Sequence, residues 1–149
     1  MTISDRCAAG EAKDRSGPAV ASRLEAAGID VIGTRIVPDE VEKIRAVLRE
    51  IVGDLVVTTG GTGLAARDVT PQATALELDY QVPGLAEAMR RAGAASTPMA
   101  MLSRGIAGVS GRRLLLNLPG SERGATESLD AVLPALGHAL EQLAGRTGH

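Results

Sequence analysis

Phenylalanine and tryptophan are absent from this chain of 149 residues, and tyrosine occurs once, at Tyr80. Its core must therefore be built from Ala, Val, Leu, Ile and Met. Apolar residues make up 44% of the chain, enough for one domain over residues 1–149 with a sizeable interior. The missing rings also remove the platforms on which single-stranded nucleic acids stack. No excess of positive charge replaces them, because the formal net charge is −2. A polyanion binder normally shows a basic face. A phosphate site confined to one loop is still permitted, since it needs only a few donors. The single cysteine, Cys7, excludes an intramolecular disulfide and points to a reducing compartment. No run approaches the roughly 18 apolar residues of a spanning helix, and no charged-then-apolar signal opens the chain. These absences predict a soluble, cytoplasmic protein with no nucleic-acid and no membrane partner. Lysine is scarce as well, two residues against fourteen arginines, which together with the many Ala and Gly reads as coding bias rather than function.

What is present alternates between two periodicities. Loop-like residues run from Ser4 to Ser16, and Ser16-Gly17-Pro18 starts a helix that Gly28 ends. Residues 30–37 are rich in β-branched types and read as a strand. Pro38-Asp39-Glu40 opens a helix carrying Val41, Ile44, Val47, Leu48 and Ile51, and residues 55–58 form a short, fully apolar strand. Thr70-Pro71 begins a helix with Ala73, Leu76 and Leu78, and another runs from about Leu85 to Ala94. Residues 105–109 and 113–118 make a hairpin about Ser110-Gly111. Pro119-Gly120-Ser121 opens a last helix with a leucine-rich stripe, in which Pro134 is a candidate kink.

Strands alternating with helices predict parallel βαβ units. We expect an α/β three-layer sandwich, with a mostly parallel sheet, one antiparallel strand and helices on both faces. Ligands in such sheets bind beyond the carboxyl ends of the strands. Four polar or glycine-rich loops leave strands here: Ser4-Asp5-Arg6, Pro38-Asp39, the stretch from Thr59 to Asp68, and Asn117 to Ser121. They are expected to meet in one crevice.

The third loop reads TTGGTGLAARDVT over residues 58–70. Glycine lets backbone N–H groups approach a phosphate with no Cβ in the way. A tight strand-to-helix turn without a ligand accounts for the same residues. A Walker A loop needs Gly-Lys followed by Ser or Thr, and the chain has no such triplet. Gly61-x-Gly63-x-x-Ala66 matches the dinucleotide fingerprint formally, but Arg67-Asp68-Val69 intervenes before the helix and no acid-terminated strand follows at the required distance.

Thr58-Thr59-Gly60-Gly61-Thr62-Gly63, Arg67-Asp68-Val69-Thr70-Pro71 and Val82-Pro83-Gly84 together resemble the molybdopterin adenylyltransferase family of molybdenum cofactor biosynthesis. The resemblance extends to Ser4-Asp5-Arg6 with Asp14 and Ser16-Gly17-Pro18, to Val37-Pro38-Asp39-Glu40, to Leu102-Ser103-Arg104, and to Asn117-Leu118-Pro119-Gly120-Ser121. It implies transfer of an adenylyl group from ATP to the terminal phosphate of molybdopterin, with Mg²⁺, in a homotrimer, ahead of a partner protein that inserts molybdate. It also implies that Asp39 and Asp68 are the catalytic and metal-binding carboxylates. Ser4, Asp5, Arg6, Thr59, Gly60, Gly61, Thr62, Gly63, Asn117, Pro119, Gly120 and Ser121 would bind the phosphorylated substrates. Two other roles exist among relatives of this fold: molybdopterin binding without catalysis, and the domain of competence-damage proteins that acts on other nucleotides. A non-catalytic branch lacks the acid after the second strand, and Asp39 is retained here.

Local readings compete with these assignments. Asp39 is a natural N-cap with Glu42 as capping-box partner. Ser121 is an N-cap as well as a phosphate ligand. Asp5 and Arg6 could form a surface ion pair, Arg67 reads as a solvated side chain, and Arg90-Arg91 as a solvated helix face. Cys7 reads as an incidental small residue, and neither His138 nor His149 suggests a metal site. The sequence departs from the family pattern in two places: Met1-Thr2-Ile3 supplies only the last residues of the first strand, and Leu64-Ala65-Ala66 stands where relatives often carry Ser-Pro.

Overall fold

The structure is a computed structural model that describes residues 1–146. His149 lies outside the described residues. In chain order the elements are β1 (Thr2–Ile3), α1 (Asp5–Ala8), α2 (Ser16–Ala26), β2 (Ile36–Val37), α3 (Val41–Glu50), β3 (Leu55–Thr59), α4 (Thr70–Ala75), β4 (Tyr80–Gln81), α5 (Pro83–Ala94), a 3₁₀ segment (Pro98–Leu102), β5 (Ala107–Ser110), β6 (Arg113–Leu118) and α6 (Glu122–Leu143). The strands form one six-stranded sheet ordered β2-β1-β3-β6-β5-β4. Pairings β1–β2, β1–β3 and β3–β6 are parallel, and β5 is antiparallel to both β6 and β4. One strand, β5, thus runs against the other five, as the sequence predicts.

Alternation along the central strands assigns the two helical layers. Leu114, Leu116, Leu118 and Val57 pack with Val20 and Leu24 of α2, Met89 of α5, and Leu129, Val132 and Leu136 of α6. Leu115, Val56 and Ile3 pack on the opposite face with Ile44 and Leu48 of α3 and Ala73 of α4. Burial on both faces is why β3 and β6 read as continuous apolar runs. The last helix continues across Pro134. No helix among the described residues is long and apolar enough to cross a membrane.

Four element predictions need correction. The strand expected over residues 30–37 is reduced to Ile36–Val37, because β1 offers it only Thr2 and Ile3 as ladder partners. The stretch after Ser4 holds a short helix, α1, capped by Ser4 Oγ, which accepts from the Cys7 amide at 3.2 Å. The helix starting at Thr70 ends at Ala75, short of Leu76 and Leu78. The chain then pairs as β4, which the sequence did not predict: Asp79 N–H donates to Val109 O and Val82 N–H to Ala107 O, both at 2.8 Å.

Asn117 stitches the layers where the site begins. Its side chain is buried, with Nδ2 donating to Thr58 Oγ1 and Thr74 Oγ1 at 3.0 Å each and Oδ1 accepting from Ile106 N at 3.3 Å. Asn117→Leu leaves the half-buried Ile106 amide and the buried Thr74 hydroxyl without these partners. We expect a loss of roughly 1–3 kcal/mol, read in urea as a lower midpoint at unchanged m-value.

Candidate functional site

Because β1, β2, β3 and β6 run the same way, their carboxyl ends lie at one sheet edge. Ser4, Pro38, Gly60 and Pro119 follow them directly. Gly60 is the point of closest approach. Its N–H donates to Leu118 O at 3.1 Å, and a Cβ built on it would run into the Ile3 carbonyl oxygen. A Cβ on Gly120 would stand 3.2 Å from Gly60 Cα. Gly60 also takes φ +93°, where an L side chain is strained.

Gly61, at φ +65°, turns the chain outward. A Cβ there would meet the Thr70 hydroxyl and stand 3.0 Å from Asp39 Oδ1. Val69, not Thr70, is the N-cap of α4. The Thr70 hydroxyl donates to Gly60 O at 2.9 Å and its amide to Gly61 O at 3.1 Å, pinning the returning leg of the loop to the outgoing one. The amides of Gly61, Thr62 and Gly63 donate to no protein acceptor among the described residues, so they are open to an anion.

A cavity of about 460 Å³ opens on this loop. Gly61, Thr62, Gly63, Asp68, Asn117, Pro119, Gly120 and Ser121 line it, together with Met89, Arg90, Met99 and Leu102 among others. Of the remaining predicted residues, Ser4, Asp5, Arg6, Thr59, Gly60 and Asp39 do not line it. Thr59 faces the α2 layer, where its hydroxyl is 2.8 Å from Ser16 Oγ. Arg6 is exposed, and its carbonyl accepts from the Glu11 and Ala12 amides. Ser121 is the N-cap of α6, accepting from Gly124 N at 3.1 Å, while it also borders the cavity.

Asp39 is not the cap of α3. That position falls to Glu40, which makes no side-chain cap bond. The Asp39 carboxylate turns to the first loop, where Oδ2 accepts from Asp5 N at 2.8 Å, and Asp39 N donates to Asp5 Oδ1 at 2.9 Å. Asp68 Oδ2 accepts from Ala65 N at 3.0 Å, closing the turn, and would stand 2.8 Å from a Cβ on Gly63. The two carboxylates therefore flank the glycine loop, each with Oδ1 unpaired among the described residues. Burial pushes the Asp39 carboxyl up from its ordinary pKa, and the charges of Asp5 and Asp68 add to the effect, against the Asp5 amide bond. Asp5 goes the other way, held down chiefly by its hydrogen bonds to Arg67.

Three arginines do more than their sequence context indicated. Arg67, expected in solvent, grips Asp5 with Nε on Oδ2 and Nη2 on Oδ1, both at 2.8 Å. Arg90, expected on a solvated face, donates to Gly105 O at 2.8 Å and borders the cavity. Arg104 donates from Nε to Gly63 O at 2.7 Å and from Nη2 to Asp68 O at 2.6 Å, and its amide reaches Thr62 O at 2.8 Å. It clamps the glycine loop from outside. Sequence reading placed Arg104 only in a resembling segment, since a fork aimed at main-chain carbonyls leaves no spacing signal.

Gly60→Ala and Gly10→Ala separate conformation from contact. Both glycines have positive φ, but a Cβ at Gly10 has nothing within 4 Å. Gly10→Ala should cost about 1–2 kcal/mol, the strain of the left-handed region. Gly60→Ala should cost clearly more by thermal or urea unfolding, because the obstructing atom is backbone.

A family profile described as "Probable molybdopterin binding domain" matches residues 1–138. Among curated relatives, the molybdopterin adenylyltransferase of Haemophilus influenzae is 40% identical over 94% of this chain and 74% of its own length. Gephyrin of Dictyostelium discoideum is 39% identical over 94% of this chain, which spans only 21% of that protein. Among solved structures, the molybdopterin biosynthesis enzyme MoaB from Thermus thermophilus is 52% identical, with TM-score 0.90 over 97% of this chain and 93% of that one. A CinA protein from Thermoplasma acidophilum, 20% identical with TM-score 0.67, shares the fold alone.

Proposed function

This chain belongs to the molybdopterin-binding domain family, and on that footing we propose that it transfers the adenylyl group of ATP to the terminal phosphate of molybdopterin, releasing pyrophosphate. One observation carries the reading: open amides at Gly61, Thr62 and Gly63 sit between two carboxylates, Asp39 and Asp68, at the edge where four parallel strands end. Curated relatives about 40% identical over most of this chain bear the name of that transferase, which supports catalysis over binding alone.

Joining two phosphorylated molecules gathers negative charge, and catalysis must neutralise it and hold attacker and leaving group in line. The loop amides and the N-terminus of α6 at Ser121 bind phosphate oxygens in this scheme. Asp39 and Asp68 fit Mg²⁺, which takes one or two carboxylates and completes its shell with water and substrate phosphates. Each offers one oxygen, and no cluster of three or more His, Cys, Asp or Glu competes among the described residues. Bound there, the cation would offset charge on the phosphates. The 460 Å³ cavity beyond Asp68 is of the size that small-molecule sites take.

We also propose a cytoplasmic homotrimer that passes its product to a molybdate-inserting protein. The family resemblance supports this, and a monomer by light scattering overturns the trimer.

The direct test mixes purified protein, molybdopterin, ATP and Mg²⁺ and follows adenylylated molybdopterin and pyrophosphate. Asp39→Asn and Asp68→Asn should each lower kcat/KM by roughly 100-fold or more. Full activity in Asp68→Asn removes that assignment. Because the Asp39 pKa is raised, its folded-state stability contribution belongs to the protonated form and is lost as pH rises through that pKa. At neutral pH the ionised carboxylate is a net cost, so Asp39→Asn should raise Tm while lowering kcat/KM. With no cation bound, the Asp39 carboxyl should titrate above the ordinary aspartate range by NMR.

A further inference from the structure

We propose that Arg67 is a positioning residue for this transfer: it clamps Asp5, and Asp5 holds Asp39 in place beside the glycine loop. The proposal rests on the functional reading above and assigns Arg67 a place in it.

Three segments distant in sequence close on one another here. Arg67, on the returning leg of the glycine loop, makes a two-pronged contact to Asp5 at the head of α1. Asp5 and Asp39 then exchange a reciprocal pair of bonds, amide to carboxylate in each direction, at 2.8 and 2.9 Å. The exchange fixes the backbone of Asp39 and occupies its Oδ2, leaving Oδ1 turned toward Gly61. Asp68 follows Arg67 directly in the chain. The guanidinium therefore ties the leg that carries one reacting-site carboxylate to the bracket that holds the other.

Arg67 is the cation that contacts Asp5; Lys43 acts on it from α3 at longer range, and Lys43 itself pairs with Glu40. Without the guanidinium, the charges of Asp5 and Asp68 act on Asp39 with less compensation. Asp5 is 40% exposed at its side chain, so it can turn to water and release the Asp39 amide. An exposed ion pair adds little to global stability, so Arg67 should affect geometry far more than folding. Lysine lacks the planar fork and cannot reproduce the two-pronged grip.

The test compares Arg67→Ala, Arg67→Lys, Asp5→Asn and the double variant in the transfer assay, with Tm measured for each. Amide hydrogen exchange at Asp39 is followed by NMR without ligands. Arg67→Ala should lower kcat by about tenfold or more with a much smaller change in KM for ATP. Arg67→Lys should not restore it. In the Asp5→Asn background, Arg67→Ala should add no more than about twofold, because the route through Asp5 is already cut. Asp39 amide exchange should accelerate in Arg67→Ala while Tm barely moves. An equal loss in both backgrounds means Arg67 acts on substrate directly and overturns the proposal; so does unchanged exchange at Asp39. Wild-type protein without transfer overturns the functional reading, while faster Asp39 exchange in Arg67→Ala still establishes the clamp.

Discussion

Three strand ends converge on a residue that has no side chain. β1, β3 and β6 finish side by side, and Gly60 lies against the Ile3 carbonyl, the Leu118 carbonyl and the Gly120 backbone at once. Nothing larger fits without backbone movement, and the positive φ there sends the chain away from the sheet. The polar architecture follows from that exit. Thr70 returns to bond Gly60 and Gly61, Arg104 clamps the loop, and the amides of Gly61, Thr62 and Gly63 are left with no protein acceptor among the described residues. A glycine loop of this kind is a consequence of crowding at the sheet edge before it is a binding device.

The same convergence gathers carboxylates. Asp5, Asp39 and Asp68 come from three loops, and among the described residues only Asp5 is directly paired with a guanidinium. Asp39 is left partly buried with its proton affinity raised. A folded protein tolerates such a cost where a cation or a substrate later offsets it. Asp39 had a cheaper role available as the cap of α3, yet it bonds across to Asp5 while Glu40 leaves the cap unfilled. Local helix chemistry yields here to the long-range bracket.

Much of this was legible in the residues. The glycine loop, the polar strand exits and their shared edge follow from parallel βαβ topology, because every exit after a parallel strand faces the same way. The hairpin about Ser110-Gly111 and the stripe of α6 were equally plain. β4 was not, being two exposed residues with no period to read. The overlong second strand shows the converse: Val31 packs against the α2 layer and pairs with no strand. Apolar content alone says nothing of which ladder a residue joins. The partners of Arg67, Arg90 and Arg104 lie 13 to 62 positions away, beyond any local pattern.

The arginine excess was read as coding bias, and the structure gives it physical work whatever its origin. Arg113 donates to Leu48 O and Ile51 O at the end of α3, and Arg112 to Leu143 O and Ala144 O at the end of α6. Helix ends leave carbonyls without intrahelical partners, and a cation there also suits the dipole. Arg90 and Arg104 serve loop carbonyls in the same way. A guanidinium reaches two such acceptors at once, which a lysine point charge does less well. In a chain with no Phe or Trp to cover loop backbone with bulk, directional donors take over that role. The guanidinium groups bridge helix ends and loops to neighbouring elements, and Arg104 ties the glycine loop into that set.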